Sequence, residues 1–245
     1  MTALLEVTGL DVNYGAVSAL RGIDMEVRQG EIVAVIGANG AGKSTLLKTI
    51  AGLVAPAAGS ITFGGESIGG RPAYEVVGKG ITLLPEGREL FREMSVLDNL
   101  HLGFLPARHT GASLEDRVEH VFELFPRLRE RSSQQASTLS GGEAQMLGVA
   151  RSLMCSPRLL VVDELSLGLA PQIVEQLFDV LATINAEGTS VLIVEQFVDL
   201  ALRHSDRAYV LVKGEVAFHG RSSDVASNPD VVDSYLGAGM AGSAS

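Results

Sequence analysis

Residues 32–45 read Ile32-Val33-Ala34-Val35-Ile36-Gly37-Ala38-Asn39-Gly40-Ala41-Gly42-Lys43-Ser44-Thr45. An unbroken apolar run closed by glycine predicts a strand buried on both faces of a parallel sheet. From Gly37 onward the stretch fits G-x-x-x-x-G-K-[ST], and Lys43 to Ile50 suits a helix with Leu46, Leu47 and Ile50 on one side. Glycines in such a loop let backbone N–H groups turn inward around phosphate oxygens, and the helix N-terminus adds partial positive charge. Gly37, Ala38, Asn39, Gly40, Ala41, Gly42, Lys43, Ser44 and Thr45 are therefore the candidate contacts to a nucleoside triphosphate. Lys43 is expected to reach its β- and γ-phosphates, and the Ser44 hydroxyl to ligate Mg²⁺. An accidental glycine-rich turn is the competing reading. The strand before it and the helix after it favour the cradle.

Working outward, Leu5, Val7, Leu10 and Val12 alternate as in an antiparallel strand, and Ile23 to Val27 predict another before Gln29-Gly30. Pro56 to Gly70 is rich in small residues, with a short strand at Ile61 to Phe63. Ser113 to Arg131 reads as a helix, with Val118, Val121, Phe122, Leu124 and Phe125 at three- and four-residue spacings. Leu159 to Val162 and Val191 to Val194 are two more fully apolar strands, with helical patterns around Ile173 to Ile184 and Asp199 to Leu202. Strands alternating with helices predict an α/β fold. Gly237 to Ser245 reads as a loose tail, and no internal repeat is visible.

The strand at Leu159 to Val162 runs into Asp163-Glu164. An acid at a strand end beside a phosphate cradle can hold Mg²⁺ through a water, here Asp163. The adjacent Glu164 is then the candidate general base for an attacking water. An acidic pair that merely marks a strand end is the bland alternative.

Leu139-Ser140-Gly141-Gly142-Glu143 has the S-x-x-E spacing of a capping box, opening a helix over Ala144 to Cys155. It also looks like the signature of the ATP-binding cassette family, and both readings hold together. Open N–H groups at a capped helix start are a site for a γ-phosphate, here one offered by a second subunit. The resemblance covers nearly the whole chain. It implies that Tyr14 stacks on adenine and that Ser140, Gly141 and Gly142 complete the partner's ATP site. It places Leu83 to Phe91 at the Q-loop, Ser166 to Pro171 at the D-loop and Val194-Glu195-Gln196 at the switch. The implied fold is a P-loop NTPase cassette with a RecA-like core sheet, an N-terminal antiparallel β subdomain and an α-helical signature subdomain. Within one domain over 1–245, the core would span about 1–85 and 157–236, the helical part about 86–156, and the tail 237–245.

Pro85-Glu86-Gly87-Arg88, Glu123 to Leu128, Ser166 to Pro171 and Ser234-Tyr235-Leu236-Gly237 are similar to one subfamily. It is the ATPase subunits of branched-chain amino-acid importers, the second of their two ATPases in particular. Urea and short-amide importers share much of this pattern. The family's Q-loop glutamine is Glu86 here, implied to face Mg²⁺ or the attacking water. Its switch histidine is Gln196, whose amide donates a hydrogen bond and exchanges no proton near neutral pH. Leu165 stands where the family has proline, and Ala170 where it has the D-loop aspartate. Glu164, Lys43, Gln196 and Glu86 are the candidate catalytic residues; Ser44, Asp163 and Glu86 are the candidate Mg²⁺ ligands. Phe91, Met94 and Val96 either form an exposed docking groove for membrane subunits or pack inside the helical part.

The remaining arithmetic narrows the partners. The chain has 245 residues, with 19 Lys and Arg against 29 Asp and Glu, a formal charge of −10. That balance argues against nucleic acid, which needs a basic face. A single cysteine, Cys155, allows neither an internal disulfide nor a cysteine zinc site. No apolar run reaches the roughly 18 residues of a membrane span, and Met1 to Val7 lacks the pattern of a secretory signal. The expected setting is the cytoplasmic face of a membrane. The expected assembly holds a second cassette ATPase (a different one favoured over a second copy), two transmembrane permease subunits and, indirectly, a solute-binding protein. Two other classes stay open: a nucleotide-dependent binding cassette with little turnover, and a soluble cassette ATPase outside transport.

Overall fold

The computed structural model describes residues 3–87, 89–105 and 113–228. Arg88, the Ser234–Gly237 motif and the expected tail at 237–245 lie outside them. In chain order the strands are β1 (Ala3–Tyr14), β2 (Val17–Arg28), β3 (Ile32–Ile36), β4 (Ala58–Phe63), β5 (Glu66–Ser67), β6 (Ile81–Leu84), β7 (Leu159–Asp163), β8 (Ser190–Glu195), β9 (Arg207–Val212) and β10 (Glu215–Arg221). The helices are α1 (Lys43–Ile50), α2 (Ala73–Gly78), α3 (Val96–Phe104), α4 (Leu114–Leu124), α5 (Pro126–Glu130), α6 (Gly141–Leu153), α7 (Pro171–Ala186), α8 (Val198–Arg203) and α9 (Ser222–Ala226).

The strands form a four-stranded sheet in the order β2-β1-β4-β5 and a six-stranded sheet in the order β10-β9-β3-β8-β7-β6. The first is antiparallel throughout. In the second, β6, β7, β8, β3 and β9 run parallel, and β10 returns antiparallel along the edge. The apolar runs of the sequence are the parallel strands, and each feeds two cores. Ala34, Ile36, Leu160, Val162, Val191 and Ile193 pack with α3, α6 and α7 on one face. Val33, Val35, Leu159, Val161, Leu192 and Val194 pack on the other, against α1 and the antiparallel sheet. Each fully buried Leu, Ile or Val contributes about 1.5–3 kcal/mol, so burial on both faces locks these strands most firmly.

Two expectations about helices are corrected. The single helix over Ser113–Arg131 is two, because Phe125 leaves helical geometry (φ −130°, ψ 73°) and Pro126 opens α5. Proline lacks an N–H and disfavours helical backbone in the residue before it, but suits a first helical position. The helix placed at Ala144–Cys155 starts earlier, at Gly141, and ends at Leu153. The exposed apolar trio is corrected at Val96. Phe91 is 51% exposed, but Val96 is wholly buried. It is the first residue of α3, which Ser95 and Asp98 start with a reciprocal cap; that cap turns Val96 into the core.

Candidate functional site

Parallel strands point their carboxyl ends the same way, and the loops leaving them converge. Gly37 follows β3, Glu86 lies just past β6, Asp163 and Glu164 end and follow β7, and Gln196 follows β8. Ile36 sits beside Glu195, and Asp163 beside Val194, in the sheet register.

Gly37 to Thr45 form a strand–loop–helix cradle. Gly42 caps α1 with φ 105°, and a Cβ there would lie 2.7 Å from the Leu20 side chain and 2.9 Å from the Ala19 carbonyl. Only glycine fits both the backbone and the space. Lys43 is 5% exposed. Its Nζ donates to the carbonyls of Gly37 at 2.9 Å and Ala38 at 3.2 Å. A buried ammonium held by neutral carbonyls strongly favours an arriving anion.

Facing the start of α1, Asp163 is 3% exposed and accepts a bond from the Ser44 hydroxyl at 3.2 Å. Burial pushes the Asp163 carboxyl above the ordinary aspartate range; the Ser44 bond opposes this and repulsion from Glu86 adds to it. Glu164 has the left-handed backbone angle φ 51°, rare for a side-chain-bearing residue. Its carboxyl is also raised, by burial first and then by Glu86, against the pull of Lys43. A hydroxyl and oxygen donors on one spot suit a hard divalent cation. Among the described residues no three His, Cys, Asp or Glu side chains gather as a metal cluster.

Lys43, Ser44 and Glu164 line an open cleft of about 820 Å³, together with Tyr14, Val17, Arg21, Asn39, Gly40, Gly42, Thr45, Glu86, Leu167, Gln196 and Lys213; Asp163 does not line it and meets it through its bond with Ser44. Tyr14 is half exposed at the end of β1, with its ring on the cleft. Gly37, Ala38 and Ala41 shape the loop without lining the cleft. Ser140, Gly141 and Gly142 do not line it either. Ser140 caps α6: its Oγ accepts from the Glu143 N–H at 3.3 Å, and Glu143 accepts from the Ser140 N–H at 3.0 Å. Gly142 packs against Ile173, whose side chain would lie 3.0 Å from an added Cβ.

Sequence reasoning passed over two supports of this site. The turn between β9 and β10 props the cradle from outside. Gly214 donates its N–H to the Ala41 carbonyl at 2.9 Å, and its own carbonyl accepts from Arg21 N–H at 2.8 Å. Lys213 and Gly214 both have positive φ, 48° and 83°; Lys-Gly between alternating apolar residues was the available hairpin signal. The second is Glu195, buried behind the cleft and bonded to Ser166. Nothing local marks that pairing.

The sequence profile of the family described as ABC transporter matches residues 20–166, from β2 through the cradle and the signature to the loop after Glu164. The chain belongs to the ABC transporter family. This ABC ATPase is 44% identical, over 96% of its length and 100% of the relative's, to the high-affinity branched-chain amino acid transport ATP-binding protein BraG of Pseudomonas aeruginosa. It is 35% identical to the probable branched-chain amino acid transport ATP-binding protein LivF of Archaeoglobus fulgidus, over 91% of this chain and 94% of that one. A crystal structure of a nucleotide-free ATP-binding cassette from an ABC transporter superposes with a TM-score of 0.84 at 28% identity, covering 95% of this chain and 98% of that one. The cassette fold expected from the signature is therefore the fold observed. The chain is an ATP-hydrolysing subunit of this family. Among the described residues no helix is long and apolar enough to cross a membrane.

Proposed function

We propose that this ABC ATPase powers an importer for branched-chain amino acids from the cytoplasmic face of the membrane, paired with a sister cassette and seated on two permease subunits that receive solute from a binding protein. The observation that carries the reading is the end-to-end likeness to the BraG protein, at 44% identity.

In this reading two cassettes face each other head to tail around ATP. Tyr14 stacks on adenine, the N–H groups of Gly37 to Thr45 hold the phosphates, and Lys43 exchanges its loop carbonyls for β- and γ-phosphate oxygens. Ser140, Gly141 and Gly142 contact the nucleotide of the partner, in keeping with their absence from the lining of this chain's own cleft. Ser44, Asp163 and Glu86 would hold Mg²⁺, which when bound would supply positive charge to the phosphates. Glu164 takes the proton of the attacking water, a task to which its raised carboxyl is suited. Gln196 donates its amide toward the reacting phosphate. The core, about 1–85 and 157–236, closes on ATP, and the helical part, about 86–156, passes that motion to the permeases.

The test is uptake of labelled leucine by cells lacking this gene, carrying the wild type or Glu164→Gln. Wild type restores uptake; Glu164→Gln cuts turnover and uptake by about 100-fold or more. Normal leucine uptake without the gene, with loss of urea or amide uptake, would move the assignment to that class of importer. Equal turnover of Glu164→Gln and wild type would remove Glu164 as the base.

A further inference from the structure

The loops leaving β7 and β8 are joined by a buried clamp that the chemistry above does not use. Ser166 donates twice to the Glu195 carboxylate, from its N–H at 3.1 Å and from its Oγ at 2.6 Å. Glu195 is 1% exposed and Ser166 5%. A carboxylate this deeply buried is costly unless its oxygens are bonded, so its position is narrowly defined. Glu195 does not line the cleft; it stands directly before Gln196, which does.

The other end of the clamp bears on Glu164. This residue keeps a left-handed backbone at φ 51°, a conformation that persists only where its surroundings enforce it. On one side its N–H donates to the Val194 carbonyl at 3.0 Å. On the other, Leu165 is wholly buried and Ser166 is gripped by Glu195. Beyond Ser166 the chain turns outward to Leu167, which lines the cleft and is 45% exposed.

We propose that Glu195 is a positioning residue for hydrolysis: by clamping Ser166 to the end of β8, it holds Glu164 in its left-handed conformation and in fixed register with Gln196. The proposal rests on the reading of Glu164 as proton acceptor. Removing the clamp frees the Glu164 turn without touching the phosphate cradle, so it lowers kcat and spares nucleotide binding. The carboxylate's charge is not the active feature. A glutamine at 195 keeps both bonds, its Oε1 accepting from the Ser166 N–H and its Nε2 donating to Oγ, because a hydroxyl also accepts.

The experiment measures ATP turnover, affinity for trinitrophenyl-ATP and thermal unfolding of the full chain and of Glu195→Ala, Glu195→Gln and Ser166→Ala. Misplacing a catalytic group by about 1 Å costs up to about 100-fold, so Glu195→Ala is expected to lower kcat by about tenfold or more, with KM and affinity within about twofold. Glu195→Gln stays within about threefold of wild type, and Ser166→Ala, which keeps the N–H bond, falls between them. Unchanged kcat in Glu195→Ala and Ser166→Ala overturns the proposal, as does a loss in Glu195→Gln equal to that in Glu195→Ala. A fall of kcat and affinity together, in step with the melting temperature, overturns it too, because that marks a purely structural pair. If Glu195→Ala does not fold, Ser166→Ala decides on the same criteria. Glu164→Gln in the same series separates the two readings: if it turns over normally, the base assignment fails, whatever the clamp variants do.

Discussion

The Ser44 hydroxyl in the first turn of α1 donates to Asp163 Oδ1 at the end of β7, 3.2 Å apart in space and 119 positions apart in sequence. This contact joins the phosphate cradle to the carboxylate strand, at the two residues that would hold a Mg²⁺ ion. Ser44→Ala is therefore expected to raise the Mg²⁺ concentration for half-maximal turnover by about tenfold or more, with little change in melting temperature. A Mg²⁺ titration of ATPase activity in both proteins checks it; coincident curves would remove Ser44 from the metal site.

The acid limb of the pH profile should report Glu164. A base must be ionised to work, and burial with Glu86 repulsion raises this carboxyl above the ordinary glutamate value of 4.5. Activity is thus lost on acidification at a higher pH than an unperturbed glutamate would give. Glu86→Gln removes one of the raising charges, so the limb of kcat/KM, which reports the free enzyme, moves to lower pH. A limb that stays in place would show that Glu86 does not act on Glu164.

The cap of α6 stands outside this chain's own cleft, so its contribution to folding can be measured apart from nucleotide binding there. Ser140→Ala removes one half of the reciprocal cap and is expected to cost about 1 kcal/mol in denaturant unfolding. Glu143 is held below its ordinary value of 4.5, chiefly by the Ser140 N–H. A depressed carboxyl stabilises above its unfolded pKa and loses that contribution as pH falls through the folded value. The wild-type advantage over Glu143→Gln is therefore full above the ordinary value of 4.5 and is lost as pH falls through the lowered folded value.

Arg207 fastens the two sheets. Its guanidinium bonds Glu26 of β2 at 3.2 Å, both Glu31 oxygens at 3.3 Å and the Tyr209 hydroxyl at 2.6 Å. Arg207→Met leaves Glu31, 8% exposed, without this partner. The expected loss is about 2–3 kcal/mol, below the full cost of breaking a deeply buried pair because Glu26 remains partly solvated. Urea unfolding measures it, and nucleotide affinity should stay near wild type.

The turn behind the cradle gives a different outcome. A Cβ at Gly214 would lie 2.5 Å from the Ala19 carbonyl, on a backbone at φ 83°. Gly214→Val is expected to cost about 1–3 kcal/mol in stability and to weaken trinitrophenyl-ATP binding as well, because Gly214 also bonds Ala41 of the cradle. Unfolding and binding curves on the same protein test both effects.

The amino-acid sequence by itself determined what neighbours along the chain can build. The cradle was legible because its parts are contiguous: the Ala41 N–H bonds Ala38, Lys43 reaches back to Gly37, and β3 leads straight into α1. The Ser140–Glu143 cap and the apolar strands were legible for the same reason, each a local pattern with one physical solution. Pro126 carried its own signal, which the helical spacing around it masked. Only the tertiary structure decided which strand lies beside which. Placing β3 between β8 and β9 sets Glu195 beside Ile36 and brings the Gly214 turn to Ala41. Phe91 and Val96 are both apolar, yet one is exposed and the other buried, because the Ser95 cap sets which way α3 faces. The Glu195–Ser166 clamp spans 29 positions. Pairings of that kind depend on sheet order, which no periodicity records, and they fix how the catalytic loops sit relative to one another.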